Sequence, residues 1–427
     1  MRTTAVYALA LALLAALLAA DLVRVWGLTN HHDLDVFLLA ARRLASGEDI
    51  YADAAPFQAA LEAGTLSLRD DTVVWPYAYP PTIALLFVPT VGWPAAAVRA
   101  GWWALNVVCL LLGTGLAVTS LPQRDVRQYV PLAALALAAL YRYDPAVVAL
   151  RLGQSELFQF LLLTLALYGL TRPAPCAGWE VLAGLALGLA AAAKFVPGAL
   201  LVLLLWRRRW RPALWGLGSA AAALGGSFAL VGWPSLARYL AYSGIYGIGG
   251  AFAAFPLNQS FNGLFSRNLV ANVFSPTLAG VNLPGLARAL TLAADAAVVS
   301  LSAWITWHRA PWPAQPAAAE RERFASEYGL AIVALLLVSP HAQVYAYAWA
   351  LIPLVRLAGD LLARPRLRRW AWVGLLGAYA LIGRSYVLYR PGLTRLVQAH
   401  YLVGALLLWA TLAALLWPGR PSTQPPA

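Results

Sequence analysis

The chain has 427 residues, of which 61% are hydrophobic and only 11% charged, with a mean hydropathy of +0.67. A soluble globular domain of this length does not have such a composition, so we predict an all-α polytopic membrane protein. The net charge of +13 comes almost wholly from arginine in short runs between apolar segments. This distribution favours positive-inside sorting of loops over nucleic-acid binding. Cys109 lies in an apolar run and Cys176 in a short polar connection, so we expect no disulfide framework.

The first apolar run could be taken for a cleaved signal peptide, with a small-residue site near Ala20. The run continues, however, through Leu22, Val23, Val25 and Trp26. It thereby reaches the roughly 20 residues that cross a bilayer. We therefore predict an uncleaved first span, followed by a loop on the far side of the membrane.

That loop contains the segment His31–Tyr51, which combines two carboxylates with an amphipathic helical pattern. At about 100° per residue, Asp33 and Asp35 lie roughly 200° apart, so only one of them can face the protein. Asp35 falls on the polar side. Asp33 falls near Phe37 and Leu44, on the face that should pack inward. A carboxylate there needs a partner or a function, and the simple alternative is that Asp33 caps the helix.

The rest of the chain alternates apolar runs with short polar connections. Residues 82–92 form an apolar piece too short to cross a membrane, which we interpret as a broken or half-inserted helix. Counting it, we predict about thirteen apolar segments, of which about twelve cross the membrane. They form a single domain over residues 1–420, with a disordered tail at 421–427. The remaining predicted spans are Ala95–Val118, Val130–Leu150, Leu157–Leu170, Trp179–Ala193, Val196–Trp206, Pro212–Val231, Leu286–Trp307, Tyr328–Val338, Val344–Leu357, Trp370–Tyr386 and Tyr401–Trp417.

The arginine runs predict the orientation of the chain in a cell membrane. Runs at residues 207–211, 309–323 and 364–369 all lie on one side if the N-terminus is cytoplasmic. The first loop (27–79) and a long loop (232–285) then lie outside the cytoplasm. The long loop is rich in aromatic residues, which suit a surface in the lipid interface. Several polar residues that are far apart in sequence converge on this outer face.

Two of these polar positions end predicted spans. Lys194, the only lysine of the chain, could hold a phosphate as a point charge. A lysine at a helix end also snorkels to the interface without any ligand. Gln154 lies in the polar sequence RLGQSE, whose donors and acceptors suit a sugar or a phosphate, but a polar helix junction would look the same.

Two further features lie on the predicted outer face. The sequence NQSFNGLFSR contains Asn258, Gln259, Ser260 and Arg267, the densest polar cluster of the long loop, and also matches the weak N-glycosylation pattern. His341 follows a proline at a predicted helix break and could donate to a phosphate oxygen, or simply be hydrogen-bonded locally. No histidine and carboxylate have metal-ligand spacing within one predicted helix, so we expect no dedicated metal site.

In their order and spacing, several short patterns together resemble glycosyltransferase family 87, the polyprenol-phosphate-mannose-dependent mannosyltransferases of the GT-C fold. They span most of the chain. The residues that carry the resemblance are Asp33, Leu34, Val36 and Phe37 followed by Gly47 and Tyr51; Tyr79, Pro80, Pro81 and Pro89; Gly153 and Gln154; Gly184, Gly188, Lys194 and Pro197; Asn258, Gln259, Ser260 and Arg267; and Ser339, Pro340 and His341.

The resemblance implies transfer of a hexose, most commonly mannose, from a polyprenyl phosphate to a hydroxyl group of a glycolipid or envelope glycan, with inversion. It implies Asp33 as the general base. Asp35 is the alternative, because it lies two residues on and Phe37 stands where the family has tyrosine. The residues expected to bind the donor phosphate are Lys194, Arg267 and His341. The residues expected to bind substrate are Tyr79, Gln154, Asn258, Gln259 and Ser260.

The partners implied are the lipid-linked donor, a glycan acceptor and membrane lipid, with no further cofactor and no nucleic acid. Two other classes of protein fit part of the pattern. A transporter or lipid flippase also carries intramembrane charges and broken helices, but its charges would line a path through the midplane instead of gathering on one face. A non-catalytic scaffold for envelope assembly would tolerate substitution of Asp33 and Lys194.

Overall fold

The computed structural model of the protein is helical throughout the part of the chain that it describes, which confirms the predicted all-α class. The described residues are 2–65, 75–121, 126–172, 177–274, 277, 280–307, 317–363, 369–384 and 397–417. Their α-helices are α1 Arg2–Trp26, α2 His32–Ala45, α3 Ala54–Glu62, α4 Pro81–Phe87, α5 Ala95–Thr119, α6 Val126–Leu140, α7 Asp144–Leu152, α8 Glu156–Thr171, α9 Ala177–Ala193, α10 Ala199–Trp206, α11 Trp210–Val231, α12 Pro234–Ser243, α13 Phe261–Leu269, α14 Pro284–Trp307, α15 Ala317–Val338, α16 Leu351–Ala363, α17 Arg369–Ile382 and α18 His400–Leu416.

Five helical segments in these ranges are long and apolar enough to cross a membrane, and the pair α6–α7 makes a sixth if it is counted as one span. The five are Leu9–Trp26, Ala95–Thr119, Trp210–Val231, Pro284–Trp307 and Val344–Ala363. Shorter apolar helices of 10–17 residues accompany them, among them the predicted half-helix, which is α4 with the 3₁₀ turn Val88–Thr90. The composition is that of a multi-pass membrane protein, and the count of about twelve spans stays a prediction.

One predicted span, Val130–Leu150, is broken into two helices. The chain bends by 55° between α6 and α7. Arg142 sits at this bend with a left-handed backbone (φ 53°), and its backbone N–H donates to the buried carboxylate of Asp21 on α1 (3.1 Å). The sequence predicted one span because its apolar run continues across the bend, and apolar composition does not show where a helix changes direction.

A second predicted span, Tyr328–Val338, is only the end of a longer helix. α15 begins at Ala317 because its charged first half is paired with the connection between α10 and α11. Arg207 contacts Glu320 (2.9 Å) and Glu327 (3.1 Å). Arg323 contacts Glu327 (2.5 Å) as well. We call these four side chains the arginine–glutamate cluster, and their mutual neutralisation allows a charged helix turn to be buried.

The arginine–glutamate cluster lies at the C-terminal end of α8. Arg209, two residues from Arg207, donates to the carbonyl oxygen of Leu170 in the last turn of that helix (2.9 Å) and stacks on the ring of Phe324. The first residue of the same helix, Glu156, therefore belongs to the other end of the bundle.

Small residues let two membrane helices approach closely. A Cβ atom added to Gly188 of α9 would lie 2.3 Å from the carbonyl oxygen of Gly216 on α11. Close backbone contact of this kind is the usual way in which helices associate where lipid removes the hydrophobic driving force. The contact fixes the end of α9, and hence the position of Lys194.

A second apolar core forms under the first loop. Phe37 of α2 is fully buried against Tyr77 and Phe87, and this core extends to Tyr239 and Phe252 of the long loop. The two predicted outer loops therefore pack on each other. This core supports the start of α2, where Asp33 lies.

The long loop is folded around its own aromatic rings. It contains α12 and α13, with Tyr239, Tyr242 and Phe252 buried and Trp233 60% exposed. The expectation that its rings anchor it in the lipid interface is therefore wrong for the three buried ones. The predicted tail at 421–427, Cys176, and much of the arginine runs at 309–323 and 364–369 lie outside the described residues.

Candidate active site

Backbone contacts between α7 and α2 position the first of the predicted site residues. The residue before α2, His31, has a left-handed backbone (φ 52°) and its N–H donates to the carbonyl oxygen of Arg151 at the end of α7 (3.0 Å). Leu34 follows and is fully buried. These contacts place Asp33, in the first turn of α2, directly over the end of α7.

A glycine makes this close approach possible. α7 ends at Gly153, which has a left-handed backbone (φ 74°), and a Cβ atom there would lie 2.6 Å from Cβ of Leu34. The indole N–H of Trp102 donates to the carbonyl oxygen of Gly153 (2.8 Å). The next residue, Gln154, is thereby turned toward Asp33.

The Asp33 carboxylate ends a chain of hydrogen bonds. The hydroxyl of Tyr345 is bonded to that of Tyr79, which donates to Gln154 Oε1 (2.9 Å). Gln154 Nε2 in turn donates to Asp33 Oδ2. These contacts bring together three of the sequence-predicted residues, and they orient the carboxylate without neutralising it.

The other oxygen of Asp33 faces a histidine. Nδ1 of His32 lies 3.2 Å from Oδ1, and this hydrogen bond raises the pKa of His32. The side chain of Asp33 is 24% exposed. The helix-capping alternative is wrong, because His31 precedes the helix and no side chain caps it.

Asp35 is engaged quite differently. Both of its oxygens accept from the guanidinium of Arg99, at 2.9 Å each, and its side chain is 44% exposed. Arg99, near the start of α5, thus lies against α2. Asp35 is thus occupied by a cation on both oxygens, whereas Asp33 accepts from the amide of Gln154 and faces His32.

Lys194 forms the second charged group at this end of the bundle. It follows the last residue of α9, and its Nζ donates to Oε1 of Glu156 (2.7 Å). The lysine is 20% exposed and the glutamate fully buried. The ammonium also lies 5.7 Å from the ring of Tyr79 and 5.3 Å from that of Tyr345. Lys194 is therefore a fixed cation and not a snorkelling one.

Lys194 and Asp33 flank the same tyrosine. Tyr79 reaches Asp33 through Gln154, while the ammonium lies by its ring. Glu156 also interacts electrostatically with Asp33. A base and a cation are thus arranged around one small region.

The polar cluster of the long loop has another role. The amide of Asn258 donates to the carbonyl oxygens of Ala253 (2.9 Å) and Pro340 (3.0 Å). Its Oδ1 accepts from the Ser260 hydroxyl (2.9 Å), while Gln259 Nε2 donates to a carbonyl oxygen of its own loop. All three residues are fully buried. These hydrogen bonds fasten the long loop to the helix break at Pro340, and the substrate-binding role of the three residues stays a prediction.

Arg267 supports the same fastening. It is 1% exposed, and its guanidinium donates to the carbonyl oxygens of Phe255 (3.0 Å) and Asn258 (2.5 Å). A cation buried on backbone oxygens holds the loop in place. Binding of the donor phosphate by Arg267 stays a prediction.

His341 is a neutral imidazole in this structure. Its ring lies among Tyr246, Phe252 and Phe255, and its Nε2 is 2.7 Å from Gln343 Nε2. Burial, with a smaller contribution from Lys194, lowers the pKa of His341 to about 3. A neutral imidazole still offers one N–H, so the predicted contact of His341 with the donor phosphate stays a prediction.

Sequence reasoning missed Glu156 as the counter-ion of Lys194, and Arg99 as that of Asp35. A signal for the first existed: a lysine at the end of an apolar helix requires a buried anion. Glu156 is the acidic residue of the neighbouring polar junction. Among the described residues no group of three or more histidine, cysteine, aspartate or glutamate side chains is placed to hold a metal ion.

Comparison with known proteins gives this geometry a context. Residues 77–340 match the family model for glycosyltransferase family 87. The matched range contains Tyr79, Gln154, Glu156 and Lys194 and leaves out Asp33.

Two curated relatives are similar to part of the chain, and both are called polyprenol-phosphate-mannose-dependent alpha-(1-2)-phosphatidylinositol mannoside mannosyltransferase. The protein from Mycobacterium tuberculosis is 28% identical over 211 residues, which are 47% of this chain and 45% of the relative. The one from Mycolicibacterium smegmatis is 30% identical over 216 residues, 48% of this chain and 45% of the relative. The chain thus aligns with less than half the length of these relatives. Because the family model covers more than half of its residues, the chain belongs to glycosyltransferase family 87.

Proposed function

We propose that this protein is a membrane mannosyltransferase that uses polyprenol-phosphate-mannose and delivers the sugar to a hydroxyl group of a glycolipid or envelope glycan. Membership of the family and the names of the two relatives support the donor. The observation that carries the proposal is the placement of a carboxylate, Asp33, which accepts from Gln154, and an ammonium, Lys194, which is bonded to Glu156, around the same tyrosine, Tyr79.

The reaction we infer is a single displacement at the anomeric carbon. The acceptor oxygen forms a bond to C1 of the sugar while the bond from C1 to the phosphate oxygen breaks. The proton of the acceptor hydroxyl passes to Asp33 as the new bond forms. The products are the inverted glycoside and polyprenyl phosphate, which keeps the electron pair of the broken bond.

The leaving phosphate needs no general acid, because a phosphate ester departs as a stable anion. What it needs is positive charge that meets the charge growing on its oxygen. Lys194 has three N–H donors, of which one is bonded to Glu156. The other two are available for phosphate oxygens, and His341 offers a further, neutral N–H.

The proposal includes a GT-C fold with about twelve spans, a cytoplasmic N-terminus and a site on the extracytoplasmic face. The polyprenyl tail would lie along the exposed apolar side chains between α4 and α11, such as Leu86 (51% exposed) and Leu230 (73% exposed). These two helices meet where Thr82 and Ser227 are 3.3 Å apart.

The test is sugar transfer from radiolabelled polyprenol-phosphate-mannose to a membrane lipid extract, with purified wild type compared with Asp33→Asn and Asp35→Asn. We expect Asp33→Asn to lower the rate by about 10²- to 10⁴-fold, the usual contribution of a general base. Asp35→Asn should retain most activity, because its carboxylate is bound to Arg99. The variants are matched, since each removes one charge from the same helix.

Two results would contradict the proposal. A loss confined to Asp35→Asn would move the base to Asp35. A wild type that transfers mannose to no acceptor, but moves a lipid across vesicle membranes, would favour the transporter class.

A further inference from the structure

One buried oxygen at the candidate site has no partner. Glu156 is fully buried, and its Oε1 is bonded to Lys194 at 2.7 Å. Its Oε2 accepts no hydrogen bond from the side chains and backbone of the described residues; only the backbone N–H of Glu156 itself also approaches the carboxyl group. A half-satisfied carboxylate in a buried place is costly, so a hydrogen-bond donor brought by a ligand would stabilise it.

The neighbouring donors are already in use. The hydroxyl of Tyr345 is bonded to that of Tyr79, which donates to Gln154, and the Gln154 amide donates to Asp33. The indole N–H of Trp349 donates to the backbone oxygen of Glu156 and not to its side chain (3.3 Å). A donor for Oε2 must therefore come from outside this set.

We propose that Oε2 of Glu156 accepts a hydrogen bond from a hydroxyl group of the donor sugar and so selects the sugar. The inference rests on the proposed function, in which Lys194 holds the donor phosphate. Because Oε1 is 2.7 Å from the Lys194 ammonium, which would hold the phosphate, the hydroxyl in reach of the adjacent oxygen would belong to the part of the sugar closest to that phosphate. The hydroxyl nearest to the anomeric carbon is that on C2, which is therefore the expected partner.

A carboxylate suits this task because it only accepts hydrogen bonds. A site built to accept from a substrate hydroxyl rejects an analogue that lacks it, because the buried acceptor is then left unpaired. Glu156 is distinct from Asp33, which takes the acceptor proton. It would discriminate between donors without taking part in the bond changes.

The experiment compares wild type with Glu156→Gln on polyprenol-phosphate-mannose and on four analogues, each lacking the hydroxyl on C2, C3, C4 or C6. The ratio of kcat/KM for wild type to that for the variant is taken for each donor, so that the intrinsic reactivity of the donor cancels. We expect a ratio of about 10- to 100-fold for donors that keep the bonded hydroxyl, the usual effect of a hydrogen bond to a charged group. The ratio should fall to about one for a single analogue, that lacking the C2 hydroxyl.

A binding measurement separates sugar recognition from mere support of Lys194. Glu156→Gln should bind polyprenyl phosphate without sugar as tightly as wild type, since its amide oxygen still accepts from the ammonium. If Glu156 serves only to hold Lys194, the variant loses sugar-free phosphate and the mannose donor to the same extent. This readout also applies if the variant transfers no sugar.

Glu320→Gln is the matched control, because it makes the same change in an ion pair with Arg207 (2.9 Å) at the other end of the bundle. Its ratios should be equal for all five donors. Equal ratios for Glu156→Gln would overturn the inference while leaving the proposed function intact. Failure of wild type to transfer from any donor would overturn both.

Discussion

The two ends of the helical bundle each bury a glutamate, but they satisfy it differently. At the candidate site, Glu156 meets one cation, Lys194, which is itself 20% exposed. In the arginine–glutamate cluster, Glu327 is paired by Arg207 and Arg323, which are 14% and 6% exposed. Both oxygens of that carboxylate face a cation. In the closed cluster each carboxylate oxygen of Glu327 thus lies by an arginine, whereas in the open pair the ion pair of Glu156 is with Lys194, through Oε1.

Removing the cation of the open pair should have the largest effect. We expect Lys194→Met to lower transfer by about 100-fold or more, because the leaving phosphate loses its charged donor and Glu156 is left buried without a counter-ion. Transfer rate and donor KM measure this. Lys194→Arg keeps the charge and should retain part of the activity. If Lys194→Met is destabilised but transfers sugar at the normal rate, the pair of Lys194 and Glu156 has only a structural role, like the arginine–glutamate cluster.

Changing the closed cluster should instead affect stability. Glu327→Gln leaves the buried Arg323 without its negative partner and Arg207 with Glu320 alone, so the free energy of unfolding should fall by about 3 kcal/mol. The transfer rate per folded molecule should not change. Denaturant unfolding in detergent and single-turnover kinetics give the two quantities. If Glu327→Gln transfers sugar more slowly at unchanged stability, the two ends of the bundle are coupled, and the arginine–glutamate cluster is not purely structural.

The backbone at the end of the bundle that carries the candidate site, which we call the site end, offers a test with a smaller expected effect. Gly153→Ala forces a side chain onto a left-handed backbone and to 2.6 Å from Leu34 Cβ, which should cost about 1–3 kcal/mol. Because Gln154 is the next residue, its contact with Asp33 should loosen and kcat should fall about tenfold. Gly101→Ala on α5 is the control, since nothing lies within 4 Å of an added Cβ atom there. Equal behaviour of the two variants would contradict this account.

Local patterns predicted much of the fold. The bounds of α5, α8, α9, α11, α14 and α18 follow the apolar runs closely, because lipid and core impose the same demand for continuous apolar helix. The inward placement of Asp33 relative to Asp35 also followed from helical periodicity. Both are properties of nearby residues.

Partners far apart in sequence could not be found in this way. Nothing local joins Asp35 to Arg99 or Glu156 to Lys194, because each contact depends on how helices pack. The structural contacts of the cluster around Asn258 could not be predicted for another reason. Polar residues that bind backbone carbonyl oxygens have the same composition as residues that bind a sugar, and only the hydrogen bonds distinguish them.

His341 gives the finest test of how many cations the site end holds. The pKa of His341 is about 3 in the folded protein and about 6.5 in the unfolded chain. Between these two pH values, the unfolded state binds a proton that the folded state does not bind. Stability contributed by the neutral imidazole is therefore complete above pH 6.5 and is lost as pH falls from there toward 3, at up to about 1.4 kcal/mol per pH unit.

The measurement is the difference in unfolding free energy between wild type and His341→Gln across pH 5 to 8, in which the contributions of all other groups cancel. Wild type should lose stability relative to the variant below about pH 6.5, and their transfer rates should depend on pH in the same way above it. Parallel stability curves would mean that His341 titrates normally and becomes a cation in mild acid. The site end would then hold a second positive charge for the donor phosphate, and Lys194 would no longer account alone for stabilisation of the leaving group.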